Sequence, residues 1–166
     1  MSNKIVFIQK FMDKTIFNIL SIVLGIMVIM VVAQVFARFI LNNPSMVVEE
    51  LLRFSLIWAV MLGAISAFIR KEHIALTLFI DKAPAKVHKV LSLIINIIII
   101  AFLGIVMVYG GTRLCAATMK QITPLLNIPM GFVYSIIPIS GTLMTFVVLL
   151  QSIELLREKI NLEGQK

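Results

Sequence analysis

Residues 90–112 read VLSLIINIIIIAFLGIVMVYGGT, a run of 23 positions without a charged side chain. A membrane-spanning helix needs about 20 mostly apolar residues, so this run is long enough to cross a bilayer. Its apolar positions do not alternate with polar ones, as they would in the strands of a membrane β-barrel. Because a backbone in lipid must satisfy its own hydrogen bonds, the run is predicted to be an α-helix.

Three further runs have the same character, and the composition agrees with them. The chain of 166 residues is 60% hydrophobic and 14% charged, with a mean hydropathy of +1.06. Soluble domains are roughly 45–50% apolar and about 25% charged, so a typical soluble enzyme is excluded. The predicted fold is an all-α integral membrane protein with four transmembrane helices. The predicted spans cover about 16–37, 51–69, 90–112 and 129–150.

The segments that flank the spans are predicted to lie on the membrane or beside it. Residues 1–15 mix lysines with large apolar side chains, which is typical of an interfacial amphipathic helix. Residues 73–80 are apolar but too short to span, so they form a second interfacial candidate. Residues 16–150 form the membrane domain, and residues 151–166 form a charged cytoplasmic tail.

Basic residues divide unequally between the two sides of this topology. The side that holds both termini carries 11 lysines and arginines, and the other side carries four, Arg38, Arg53, Arg113 and Lys120. The positive-inside rule therefore predicts that both termini are cytoplasmic. The net charge of +7 is then a topology signal and not a nucleic-acid footprint. The residues predicted to anchor the cytoplasmic face to lipid are Lys10, Lys14, Arg70, Lys71, Lys86 and Lys89.

Two stripes of small residues indicate close helix packing. In the second span the stripe consists of Ser55, Ala59, Gly63 and Ala67, at four-residue spacing. It fits contact with another helix of this chain or docking to a different membrane protein. Trp58 lies deeper than an interfacial aromatic belt, and its indole N–H favours a protein partner. The stripe in the fourth span is predicted to pack inside the chain; it consists of Gly131, Ser135, Pro138, Thr142 and Thr145.

Charged side chains gather at the outer ends of the first two spans. Glu49 and Glu50 lie three or four positions before Arg53, on one helix face, and Arg38 ends the first span. Two acids in a first turn also suit the positive N-terminus of a helix, which gives a purely structural reading. The functional reading is a paired charge network that holds a partner or a loop. A proton relay would need an acid near mid-membrane.

The interior of the spans carries no candidate for chemistry. Outside their terminal turns the spans contain no Asp, Glu, Lys, Arg or His. A carrier of ions or polar solutes normally buries such groups or breaks its helices. His73 and His88 lie outside the spans, which argues against haem, and a lone Cys115 excludes an internal disulfide. We therefore expect no catalytic residue, no metal site and no cofactor in this chain, and predict an accessory membrane subunit.

Several motifs in order resemble one family. They are EELLRFSLIW at 49–58 with Leu62-Gly63-Ala64, RKEHI at 70–74, IPMG at 128–131 with Tyr134, and IPISG at 137–141. Together they resemble the small, four-helix (Q-type) permease subunit of tripartite ATP-independent periplasmic (TRAP) transporters, over roughly residues 15–150. The sequences of these motifs are most similar to those of the sialic-acid branch of the family.

The resemblance implies a role and partners. Such systems take up organic acids, such as C4-dicarboxylates or sialic acids, with a sodium gradient across the bacterial inner membrane. A periplasmic substrate-binding protein delivers the solute to a large permease subunit, which holds the solute and sodium sites. The small subunit braces that large subunit, so the predicted interface with it is the stripe on the second span together with Trp58.

Three other readings stay open at the level of sequence. A stand-alone homo-oligomeric transporter or channel predicts flux from this chain alone. A membrane enzyme or electron-transfer subunit predicts a bound chromophore or a catalytic cluster. A structural tetraspan assembly factor shares each feature above except dependence on a periplasmic binding protein.

Overall fold

A computed structural model describes the backbone of residues 3–43, 45–70 and 85–163, with side chains at 7–43, 45–70 and 91–153. Six α-helices and one π-helix make up the four long helical rods of this part of the chain. The described residues contain no strand, only an isolated bridge between Ile122 and Pro129.

The first two rods form a helical hairpin. Helix α1 runs over Asn3–Phe39 and α2 over Met46–Ile69, and they pack against each other. Between them the chain turns within a few residues, and Asn42 takes a left-handed conformation with φ of 48°. Asparagine tolerates this region better than most residues because its short amide can bond locally. Ser45 has the extended conformation of an N-cap, so α2 begins at the next residue.

The third rod is continuous but changes its winding. Helix α3 covers Ala85–Phe102, a π-helix covers Leu103–Gly110, and α4 covers Gly111–Thr118. π-helical turns are rare, and they insert extra residues into a helix at the cost of regular side-chain registration. Here the π-helix lies where the third rod meets the fourth.

The fourth rod consists of a short helix and a long one. Helix α5 covers Met130–Tyr134, and α6 covers Ile136–Glu163 and so continues into the residues predicted as a charged tail. The loop before α5 is tied by Thr123, which is 1% exposed. Its N–H donates to the carbonyl of Ile128, whose N–H donates back to Thr123 Oγ1. These two hydrogen bonds hold together the loop that joins the third and fourth rods.

The rods lie in the spatial order first, second, fourth, third. Helix α1 packs chiefly on α2, α2 packs on α6, and α6 packs on α3 and the π-helix. The burial of the rods agrees with this order. In the most hydrophobic 18-residue window of each rod, 28% of the second rod and 39% of the fourth are buried, but only 6% of the first and 6% of the third. Such a row exposes much apolar surface on the first and third rods. One core runs through it, formed by Ile16, Leu62, Ile65, Ile69, Leu103, Met144, Val147 and Val148.

The predicted fold class is confirmed: the described chain is all-helical, with four helices long and apolar enough to cross a membrane. These spans are Phe7–Phe39, Met46–Ile69, Leu91–Thr118 and Met130–Ile153. The residues predicted as an amphipathic N-terminal segment continue directly into α1 from Asn3. The cytoplasmic position of the termini and the interfacial position of residues 1–15 stay predictions. The second interfacial candidate, residues 73–80, lies outside the described residues.

Candidate functional site

Glycines let the third and fourth spans approach each other closely in the described chain. A Cβ atom on Gly141 would lie 2.7 Å from the Cβ of Met107, in the π-helix. One on Gly131 would lie 2.6 Å from the carbonyl oxygen of Cys115, and one on Gly111 would lie 3.0 Å from Cδ of Pro138. In lipid, where no hydrophobic effect draws helices together, such close packing supplies much of the attraction.

The small-residue stripe of the fourth span matches this contact only in part. Gly131 and Pro138 lie against the third span. Thr142 is exposed, and its hydroxyl bonds to the carbonyl of Pro138 in its own helix. Ser135 and Thr145 are half-buried and also bond within the helix region. The predicted stripe does not include Gly141. This residue belongs to the motif IPISG and lies one position before Thr142, a member of the stripe.

The stripe of the second span faces the interior of this chain at two of its positions. Ala59 is 5% exposed, and a Cβ on Gly63 would lie 3.9 Å from Cδ2 of Leu20 in α1. These contacts match the alternative of packing within the chain. Ser55 and Ala67 are half-buried. Contact of this stripe with a partner stays a prediction, which now depends on the half-buried positions Ser55, Gly63 and Ala67.

Trp58 contacts the fourth span. Its Nε1–H donates to the carbonyl of Val133 in α5, at 3.1 Å, although the residue is 38% exposed. The indole N–H therefore finds its protein partner within the chain. Its exposed ring surface still faces outward, where lipid or another protein can cover it.

The charges at the outer edge are not joined to one another within the chain. None of Arg38, Glu49, Glu50 and Arg53 takes part in an ion pair with the described residues. Glu50 is 8% exposed, and its Oε2 has no hydrogen-bond partner there. A buried carboxylate oxygen normally has a donor, so this atom is an exception that a larger assembly can resolve. The paired network expected from the spacing is thus absent among the described residues.

A charged cluster that the sequence analysis did not single out joins the first two spans at their inner edge. Asp13 of α1 accepts hydrogen bonds from Ser66 Oγ at 2.7 Å and from Arg70 Nε at 3.2 Å. The Arg70 guanidinium also lies over the ring of Phe17, 5.1 Å from its centroid. We name Asp13, Ser66, Arg70 and Phe17 the inner-edge cluster. Arg70, predicted as a lipid anchor, is therefore engaged within the protein.

Two amide side chains extend these polar contacts across the row at the same edge. Asn96 Nδ2 donates to Ser152 Oγ at 3.1 Å, and Gln151 Nε2 donates to the carbonyl of Phe68 at 3.0 Å. The first contact joins the third and fourth spans, and the second joins the second and fourth. Interhelical hydrogen bonds of this kind contribute about 0.6–2 kcal/mol each. All four spans are therefore connected by polar contacts near one membrane face.

The remaining lipid-anchor candidates are described only in part. Lys10 and Lys14 are exposed on the first turns of α1, beside exposed Phe7 and Phe11. Lys86 and Lys89 lie on the backbone of α3, and their side chains are outside the described set. Lys71 lies outside the described residues altogether. Anchoring by these residues stays a prediction.

Replacing Asp13 by asparagine is expected to destabilise the chain by about 1 kcal/mol, because Arg70 loses its charged acceptor at a partly exposed site. Thermal unfolding in a mild detergent measures the loss. Lys14→Gln, on the exposed neighbouring position, is the matched control and should leave the midpoint unchanged. Equal midpoints for Asp13→Asn and the control would show that the inner-edge cluster does not hold the hairpin.

The contacts at these sites are close helix packing and polar contacts between spans. Residues 15–37, 54–69, 91–112 and 130–153, which form the interior of the spans, contain no Asp, Glu, Lys, Arg or His. Among the described residues, no three of the types His, Cys, Asp and Glu lie close enough to hold a metal ion. Fold and sites together define a multi-pass membrane protein whose four spans are joined by polar contacts near one edge.

Comparison with known proteins identifies the family. Residues 27–158 match the family described as "Tripartite ATP-independent periplasmic transporters, DctQ component". The chain therefore belongs to this family and is a small permease component of a TRAP transporter. The family is a transporter component and not a family of enzymes.

Named relatives agree with the assignment. A Haemophilus influenzae protein described as a TRAP transporter small permease protein is 24% identical over 139 residues, covering 84% of this chain and 86% of the relative. A second protein from H. influenzae with the same description is 24% identical over 147 residues, which cover 89% of this chain and 88% of the relative. The sialic acid TRAP transporter small permease protein SiaQ of Vibrio cholerae is 28% identical over 113 residues, which cover 68% of this chain and 65% of the relative.

Proposed function

We propose that this chain braces the large permease subunit of a sodium-driven, binding-protein-dependent TRAP transporter for organic acids. The observation that carries the proposal is family membership combined with span interiors that lack Asp, Glu, Lys, Arg and His. A carrier of ions or polar solutes normally buries charged groups within the membrane or breaks its helices there. The solute and sodium sites are accordingly assigned to the large subunit.

The row of spans supports a bracing role. Polar contacts connect all four spans near one edge, and glycine-mediated packing fixes the third span against the fourth. The outer faces of α1 and of the third span remain apolar and exposed. A row held in this way offers a broad, fixed surface beside which a large subunit can move. The unpaired Oε2 of Glu50 is a position where a donor from that subunit would complete the outer-edge charge network.

The finer assignments rest on the relatives and on charge. The V. cholerae relative is named for sialic acid, which favours that solute over a C4-dicarboxylate. A periplasmic substrate-binding protein is the third partner, since the family is the small permease of a tripartite periplasmic system. The excess of basic residues on the side of the termini supports an inner-membrane protein with both termini in the cytoplasm.

Gly63→Leu is expected to reduce copurification of the large subunit, because a bulky side chain would fill the small-residue stripe of α2. A Cβ on Gly63 would meet only Leu20 Cδ2 of α1, at 3.9 Å, but a leucine reaches further, so the fold of the variant has to be measured separately. The measurement is the ratio of large to small subunit after mild-detergent purification of the co-expressed pair. Thermal unfolding of the variant alone verifies its fold.

Gly25→Leu is the matched control, because nothing lies within 4 Å of a Cβ placed there. It should retain the wild-type subunit ratio. A wild-type ratio for Gly63→Leu as well would remove the α2 stripe from the interface. Absence of any large polytopic partner from the wild-type preparation would count against the bracing role itself.

A further inference from the structure

A mixed-charge groove lies at the outer ends of the first two spans and is independent of the proposed bracing role. It has a volume of about 270 Å³, and its lining combines polar and apolar side chains. The lining residues are Val31, Gln34, Val35, Arg38, Phe39 and Glu49. We call it the outer-edge groove.

The two charges in the outer-edge groove are opposite, exposed and unpaired within the described chain. Arg38 ends α1 and Glu49 lies in the first turn of α2, and neither forms an ion pair with a described residue. Arg70 and Arg113, by contrast, lie over the rings of Phe17 and Tyr109. The groove therefore offers one free cation and one free anion, side by side.

The apolar part of the groove leads from these charges toward the membrane interior. Val31 and Val35 are 46% and 50% exposed, and they precede Arg38 by seven and three positions on one helix face. At 1.5 Å per residue, Val31 lies about 10 Å deeper along α1 than Arg38. An occupant thus needs a zwitterionic head at the membrane surface and a hydrocarbon tail below it.

We propose that the outer-edge groove binds a phospholipid whose headgroup carries a phosphate and a primary ammonium, of the phosphatidylethanolamine type. The Arg38 guanidinium donates to the phosphate oxygens, for which its planar fork is suited. The Glu49 carboxylate accepts hydrogen bonds from the ammonium, and the half-buried Gln34 also lines the groove. One acyl chain lies along Val31 and Val35. An anionic headgroup without an ammonium would leave Glu49 unpaired beside a negative charge.

The test is native mass spectrometry of the delipidated full chain titrated with three lipids of equal acyl chains. Phosphatidylethanolamine should be retained best. Phosphatidylcholine, whose quaternary ammonium donates no hydrogen bond, and phosphatidylglycerol, which has no ammonium, should bind about tenfold more weakly. Arg38→Gln should weaken phosphatidylethanolamine binding about tenfold, and Glu49→Gln should abolish the preference over phosphatidylglycerol.

Arg113→Gln is the matched control, since it removes an exposed arginine on the same membrane side and outside the groove. It should leave lipid retention unchanged. Equal retention of all three lipids, unaffected by Arg38→Gln, would show only annular lipid and overturn the proposal. Preferred binding of phosphatidylglycerol would overturn the role of Glu49. If both groove variants kept their lipid but lost a copurifying polypeptide, the groove would be a protein contact instead.

Discussion

Gly141→Ala is expected to destabilise the protein by about 1–3 kcal/mol, the usual cost of overpacking a close contact. The added methyl group would lie 2.7 Å from the Cβ of Met107 and 3.3 Å from its carbonyl carbon. Neither atom can move away by a change of rotamer, because both belong to the rigid part of the residue in the π-helix. The third span would have to shift away from the fourth, and the core around Leu103 and Met144 would loosen.

Gly25→Ala makes the comparison sharp because it should act in the opposite direction. A Cβ at Gly25 meets nothing within 4 Å, so only the backbone effect remains. In a helix interior, alanine is favoured over glycine by about 1 kcal/mol. Thermal unfolding in a mild detergent measures both variants. A midpoint for Gly141→Ala at or above that of Gly25→Ala would show that close approach at Gly141 does not hold the two spans together.

Hydropathy alone predicts the four spans, but it does not predict which spans pack against each other. Each span has an apolar run long enough to cross a bilayer, and this property is local in the sequence. The order of the spans in the row depends on contacts between distant residues, which no local pattern specifies. The π-helix is a similar case. Its residues, Leu103–Gly110, are at least as apolar as the regular helix before them, so composition does not reveal the change from α-helix to π-helix.

The candidate sites show the same division. The four-residue stripe on α2 indicated close packing, and Ala59 and Gly63 do face other parts of this chain. In the fourth span the predicted stripe contains Thr142 and not its neighbour Gly141. The spacing of small residues does not identify which helix face meets the π-helix. The sequence predicts Arg70 as a lipid anchor, but Arg70 bonds to Asp13, 57 residues away, and so joins α2 to α1. The charge of each was visible in the sequence, but their proximity was not.

The outer-edge charges show that helical spacing alone does not pair charges within the chain. Glu49, Glu50 and Arg53 have helical spacing that permits ion pairs, yet none is formed among the described residues. An exposed pair such as Glu49 and Arg53 would contribute little, about 0–1 kcal/mol, so side-chain entropy can keep the two apart. Free charges of this kind remain available to a lipid or to another subunit.

Dependence of transport on this chain tests the central claim most directly. The measurement is uptake of a labelled organic acid, with a sialic acid and a C4-dicarboxylate compared, into vesicles that contain the purified large subunit. An inward sodium gradient and the soluble binding protein are supplied outside. We expect uptake only when this chain, the large subunit, the binding protein and sodium are all present, and background uptake when any one is omitted. Sodium-dependent uptake by vesicles that contain this chain alone, or undiminished uptake without it, would contradict its role as a bracing subunit.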